Sequence, residues 1–260
     1  MASDDDLEKV RRGDKDFPRY PNGADLTDAD LEGADLTDVN LTDADLENAN
    51  LTGADLTGAN LENVNLRGVN LTDVDLTRVR LIDAALTGAK LRNVNLTGAN
   101  LENFFASNAN LTDANLTDAN LHGAKLSCAD LTRADLTRAD LTRANTDYGT
   151  RTSNLGSANL ENANLTDADL TDVNLSFANL TGANLTNANL HGADLSWAFL
   201  IGANLTNADL TNVDLIYANL ENANLIGVDL TDADLKGTFL IGADLSDENL
   251  HYARSKGAEI

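Results

Sequence analysis

One cysteine and one tryptophan stand in 260 residues, aromatics make up only 4%, and lysine and arginine number 18 against 42 carboxylates. With no second cysteine, Cys128 forms no internal disulfide. A net charge of −24 leaves too few cations to hold nucleic-acid phosphates, so direct nucleic-acid binding is not expected. Such acidity fits a cationic partner, or a high-salt cytoplasm in which screening relieves self-repulsion. No apolar run approaches the roughly 18 residues that span a bilayer. The opening stretch MASDDDLEKVRRGDKDFP lacks the apolar core of a signal peptide. These features read as a soluble, cytoplasmic protein without membrane contact. Strong acidity with few aromatics also marks disordered chains; here a strict apolar period overrides that reading.

The period is five. From Ala24 to Asn145, and again from Ser153 to Asn249, units of the form Ala-(Asp/Asn)-Leu-(Thr/Glu/Ser)-(Asp/Gly/Asn) follow one another, as in ADLTD, ANLEN and ANLTG. Five matches neither the 3.6 of a helix nor the 3.5 of a coiled coil, and a flat strand would send Leu26 and Leu31 to opposite faces. A short strand followed by a corner satisfies the pattern. Ala and the central Leu then point inward and the residue between them points out. Gly, Asn or Asp at the second turn position suits the positive φ of a type II turn. Four such units close a square coil of about 20 residues, and stacked coils bury columns of leucine.

On these units the chain strongly resembles the pentapeptide-repeat proteins, whose repeats read A(D/N)LXX. The resemblance spans about residues 24–250 and implies an all-β, right-handed quadrilateral β-helix, a solenoid of stacked square coils. Ahead of it, residues 1–23 form a capping segment. There SDDDLEKVRRG, with an N-cap serine, early acids and late arginines, predicts a short helix from about Asp4 to Arg12. At the other end Glu248 replaces the inward alanine, the stack deteriorates, and residues 251–260 close it.

Two irregularities interrupt the beat. Between Leu141 and Leu155 the spacing is fourteen. Deleting one residue would turn Arg151 inward among leucines, at a cost of several kcal/mol. Four extra residues looped out between Asp147 and Thr152 avoid this. The expected boundaries are therefore a first array at 24–146, an insertion at 147–152 and a second array at 153–250. The other irregularity is NFFAS, where Phe104 takes the corner alanine position and Ala106 the leucine position. The exchange roughly conserves volume and repacks one core layer, and Phe105 points outward unless the local strand shifts by one.

The surface offers little catalytic chemistry. His122, His191 and His251 point outward without partners at metal-ligand spacing, Cys128 sits at a corner without a nearby histidine, and no nucleotide-binding, serine-hydrolase or zinc-protease motif is present. No cofactor and no enzyme activity are expected. Thr37, Thr57, Thr77, Thr97, Thr117 and Thr137 form a ladder. An ice-binding surface would want two parallel threonine ranks, so mutually hydrogen-bonded structural residues are the better account. Asp35, Asp55 and Asp75 stack on successive coils, as do Asp194, Asp214 and Asp234, at a spacing where like charges repel unless screened. That surface looks halophilic. Arg133, Arg138 and Arg143 occupy successive corners, with Asp113 and Asp118 one coil before the first two, so local charge compensation is a better account of them than a dedicated anion site. With Tyr148 and Arg151 of the insertion they make a candidate basic collar.

Phe177, Trp197 and Tyr217 recur at intervals of twenty in the second turn position. Phe199 and Phe239 lie around the same corner, with Ile201 and Ile241 beyond. A contiguous apolar stripe needs explaining, and three explanations stand: chance accumulation, docking of a terminal segment of this chain, or an interface with a protein partner or a second copy. The family resemblance implies a further possibility. Pentapeptide-repeat proteins that protect DNA gyrase are dimeric acidic rods resembling B-DNA. About eleven coils at ~4.8 Å per layer make a rod of roughly 53 Å, over which B-DNA would carry about 31 charges. The leading reading is a non-catalytic interaction scaffold. The alternative is a DNA mimic that modulates or protects a type II topoisomerase.

Overall fold

The computed structural model describes residues 23–146 and 149–260; the expected helix at Asp4–Arg12 and the residue Tyr148 lie outside them. Within each unit the backbone runs straight for about three residues and then turns. The turn at Leu26–Ala29 is closed by Ala29 N–H donating to Leu26 O at 3.0 Å. Its third residue, Asp28, takes φ 57°. A positive φ there alone is the mark of a type II turn, which Gly, Asn and Asp accept most readily.

Four turns return the chain to the same face, one layer on. The outward residues pair in parallel at a spacing of twenty, Asp25 with Asp45, Asp30 with Asn50, Asp35 with Asp55 and Asn40 with Asn60, one pairing on each of four faces. Leu26 N–H donates to Asp45 O at 2.7 Å, and Asp45 N–H donates back to Ala24 O at 2.8 Å. Each face is too short to make a strand longer than a single bridge. The ladders nevertheless run along the molecule as parallel sheets.

The inward alanines and leucines form one continuous core, with most of the leucines completely buried. Burying a leucine side chain contributes about 1.5–3 kcal/mol, repeated at every unit. Phe104 and Ala106 are both buried, Phe105 points outward, and Phe105 keeps its pairings with Ala85 and Lys125. The exchange therefore leaves the register untouched.

Outside the core most of the outward Asp and Asn residues between the inward Ala and Leu of a unit serve the corner that follows them. Asn95 Oδ1 accepts the Thr97 N–H at 3.2 Å and the Thr97 hydroxyl at 2.7 Å, while its Nδ2 donates to Thr77 Oγ1 at 2.9 Å. This corrects the expected threonine ladder. Here the threonines are joined through the asparagine between them, not directly to one another.

The coil carrying the break is longer than four extra residues would make it. Lys125 pairs with Asn154, and all four faces cross the break at a spacing of 29. The excursion is a hairpin in which β1 (Ala144–Thr146) pairs antiparallel with β2 (Gly149–Arg151). It therefore starts before residue 147. The residues Ala144-Asn145-Thr146 imitate a repeat, but their backbone hydrogen bonds go to β2 rather than to the stack. Ser153 then re-enters the core. Its buried hydroxyl lies 3.1 Å from both Leu121 O and Thr142 O and shares its one proton between them, which joins both ends of the excursion to the preceding coil.

The second array also ends sooner than residue 250. Helix α1 (Asp247–Ser255) begins after Ser246, whose Oγ accepts the Asn249 N–H at 3.1 Å, with Asp247 and Glu248 in its first turn and Arg254 in its last. A carboxylate at the inward position of another repeat would be buried unpaired; in the helix Glu248 stays exposed. α1 covers the end of the core with buried Ala253. Asn249 Nδ2 donates to Val228 O at 3.1 Å and the Tyr252 hydroxyl to Ala233 O at 3.4 Å, occupying carbonyls left open by the last coil. The tail then adds one final rung. Glu259 N–H donates to Thr238 O and Leu240 N–H to Glu259 O, both at 2.8 Å.

Candidate interaction surface

A corner residue with positive φ has its side chain thrown outward, which is why Asp, Asn and Gly fill most corners. Phe177, Trp197 and Tyr217 adopt φ of 59°, 60° and 56° at three successive levels of one corner. Bulky residues rarely accept this backbone. Stacking offsets part of the cost. The Phe177 and Trp197 rings are 6.2 Å apart and within 9° of parallel, and the Trp197 and Tyr217 rings are 4.5 Å apart at 37°. Ring pairs at such distances contribute about 0.5–1.5 kcal/mol beyond their buried area.

The apolar surface continues around the corner. Phe199 and Phe239 stand at the start of the next face and Ile201 and Ile241 two residues on, with Asn219 and Glu221 at the level between. Phe177, Trp197, Phe199, Tyr217 and Ile241 are 40–56% exposed, while Phe239 and Ile201 are half-buried. Ile216, immediately before Tyr217, extends the patch onto the preceding face. The sequence reading passed over it because it breaks no twenty-residue column of aromatics; its adjacency to Tyr217 was the available signal.

The C-terminal tail does not lie over this surface. It joins edge-on, Glu259 pairing with Phe239 as the next rung of the ladder, so the outer faces of the rings stay open. Of the expected covers, the C-terminal segment is thus removed.

Among the described residues, the collar arginines Arg133, Arg138 and Arg143 each pair with a carboxylate. Arg133 grips Asp113 with two bonds, Nε to Oδ1 at 2.7 Å and Nη2 to Oδ2 at 2.8 Å. Arg138 grips Asp118 in the same way, both bonds at 2.7 Å. The guanidinium hydrogen bonds hold both carboxyls below their ordinary range. Arg143 reaches Asp172 at 2.8 Å, and the Arg151 side chain lies outside the described residues. Three of the four arginines are therefore engaged by carboxylates of their own chain.

The carboxylate columns are not alike. Asp55, below Asp35, has its carboxyl lowered by the Thr57 N–H and hydroxyl, which outweigh burial and the neighbouring charge. Asp214, between Asp194 and Asp234, is raised, first by burial and then by those two charges. It has Ile216 where Asp55 has Thr57, so it receives one N–H and no hydroxyl. Among the described residues no cluster of His, Cys, Asp and Glu is placed to hold a metal, and no helix is long and apolar enough to cross a membrane.

A model of pentapeptide repeats matches in eight copies, at residues 22–58, 54–93, 89–127, 114–145, 153–187, 168–207, 188–225 and 208–247. Among solved structures, HetL from the cyanobacterium Nostoc, a pentapeptide repeat protein involved in regulation of heterocyst differentiation, is 34% identical. That match covers 93% of this chain and 98% of HetL, with a TM-score of 0.52. A pentapeptide repeat protein from the Arabidopsis thaliana thylakoid lumen is 30% identical over 53% of this chain and 81% of its own, with a TM-score of 0.30. The plasmid-mediated fluoroquinolone resistance protein QnrB1 is 19% identical over 91% and 97%, with a TM-score of 0.32. No curated protein matches the chain.

Proposed function

Since this chain belongs to the pentapeptide-repeat family of right-handed quadrilateral β-helices, we propose that it is a non-catalytic, cytoplasmic scaffold that works by docking protein through the Phe177–Ile241 stripe. The observation that carries this is the stripe itself. Backbones that favour Gly, Asn and Asp hold Phe, Trp and Tyr at three successive levels, with their rings open to solvent. A rod that needed only stability would place small polar residues there, as it does at Asn207, Asn212 and Asn222. Large aromatics concentrated in one exposed patch are the usual anchors of protein interfaces. The test is a photo-cross-linking residue at position 197, irradiated in the protein's own cytoplasm. Adducts to protein are expected, and their complete absence rejects the reading.

A narrower reading makes the acidic rod a stand-in for duplex DNA at a type II topoisomerase. It is favoured by the carboxylates stacked at strand spacing on two faces, Asp35 with Asp55 and Asp75, and Asp194 with Asp214 and Asp234. Supercoiling by DNA gyrase, measured with and without the protein, separates the two readings. An unchanged rate removes the topoisomerase and leaves the scaffold.

A further inference from the structure

We infer that the occupant of the stripe is a second copy of this chain, the two rods lying side by side and antiparallel about a two-fold axis near Trp197. The inference rests on the scaffold reading above and names its partner.

The extent of the patch fits. Side chains that can bury ~150–250 Å² each and stand about half exposed leave roughly 100 Å² apiece. Phe177, Trp197, Phe199, Tyr217 and Ile241, with parts of Phe239, Ile201 and Ile216, therefore offer on the order of 600 Å². A stable interface takes about 800 Å² from each partner, including its polar rim. The stripe supplies most of such an interface and exceeds the largest apolar patch of many monomers.

The arrangement is self-complementary. The ring ladder has three levels with Trp197 in the middle. Under a two-fold axis at that level Trp197 meets its own counterpart, Phe177 meets Tyr217, and each contact occurs twice, as an isologous interface requires. End-to-end joining is not open at the C-terminal end, where α1 and the Gly257–Glu259 rung occupy the last coil. Charge points the same way. Within the patch stand one carboxylate, Glu221, and one exposed lysine at its border, Lys236. On a chain of net charge −24 the patch is close to neutral. The Asp194, Asp214 and Asp234 column flanks it on the preceding face. Each copy therefore brings one carboxylate, Glu221, into the interface and one lysine, Lys236, to its border, while the remaining carboxylates face one another around the rim.

That rim gives the second copy a signature no cationic partner shares. Repulsion between two acidic rods fades as salt shortens the screening length from ~10 Å at 0.1 M to ~3 Å near 1 M. Self-association should accordingly tighten as salt rises, whereas binding of a basic protein would weaken. Trp197, the sole tryptophan, reports on the interface directly.

The experiment is sedimentation of the full chain from low to high salt, with acrylamide quenching of Trp197 in the same samples. A dimer that strengthens with salt and shields Trp197 is expected. Phe199→Asn with Ile201→Thr places residues already present at Asn179, Asn219 and Thr181 in the same columns, and keeps the fluorophore. It should weaken the dimer at least ~tenfold, about 1.4 kcal/mol, and open Trp197 to quencher. Trp197→Ser with Phe199→Asn is a second variant, since Ser157 occupies the same corner column at φ 58°. Unchanged protein that stays monomeric with Trp197 quenchable at every salt overturns the inference. So does a dimer that neither variant weakens. Neither result touches the scaffold reading, which fails separately if position 197 cross-links to nothing.

Discussion

The ring of Tyr217 lies across Gly237. A Cβ added to Gly237 would stand 2.5 Å from both Cδ1 and Cε1 of that ring, at φ +67°. Gly33 has a similar φ, +65°, with nothing within 4 Å. Gly33→Ala should cost only the backbone penalty, about 1 kcal/mol. Gly237→Ala must also push the tyrosine off its place, and should cost about 1–3 kcal/mol. Thermal melts of the two variants check the difference. Equal shifts would mean that Tyr217 moves freely and the ladder is loose.

Asp214 titrates high because burial and its two neighbours oppose its charge, while Ile216 provides only an N–H. A carboxyl raised by folding contributes stability below its unfolded pKa and loses it as pH rises through the folded value. Ile216→Thr supplies the hydroxyl that Asp55 receives from Thr57. The variant should bring the Asp214 titration down in NMR and reduce the loss of stability on going from pH ~4 to ~6. An unmoved titration would show that the hydroxyl is not what separates Asp55 from Asp214.

Much of this fold is legible because its contacts repeat at a constant spacing. The leucine beat identifies the inward columns, the Gly, Asn and Asp positions identify the corners, and even Phe104 and Ala106 can be read as an exchange of volume within one layer. Legibility fails where the deciding bond is not periodic. Ala144-Asn145-Thr146 satisfies the repeat formula, yet antiparallel pairing with Gly149–Arg151 takes it out of the stack. Asn249 looks like the outward asparagine of one more unit, but it sits in a helix capped by Ser246 and its side chain closes Val228 O. Of the surface, the stripe was visible as a column and Ile216 was not, because neighbouring faces join only once the corner is built.

Removing nine residues, Ala144 to Thr152, should join Arg143 to Ser153 and leave all downstream columns in place. Ser153 would still fill the inward position with its hydroxyl bonded to Leu121 O and Thr142 O. The melting temperature should change by no more than a few degrees, as for other excursions from a packed frame. A large fall would show that the hairpin supports the rod.

Stacked carboxylates should make stability depend on salt. Between ~0.1 and ~1 M the screening length falls from ~10 to ~3 Å, and the melting temperature followed by circular dichroism should climb over that range. A cooperative β melt that is the same at both ends of the range would remove the halophilic reading of the surface.

The five-residue unit has one more consequence, and it is angular. Each unit carries the chain a quarter-turn around the axis and roughly 1.2 Å along it, a fourth of the ~4.8 Å layer. The hairpin leaves the rod after Arg143, and the rings begin at Phe177 on the next corner round. Gain or loss of a single unit between them would swing the rings to a different side of the rod while each leucine still met a leucine. Twenty residues would alter only the separation. On such a molecule the bearing of one surface feature from another is counted in units, and it can change without any cost in the core.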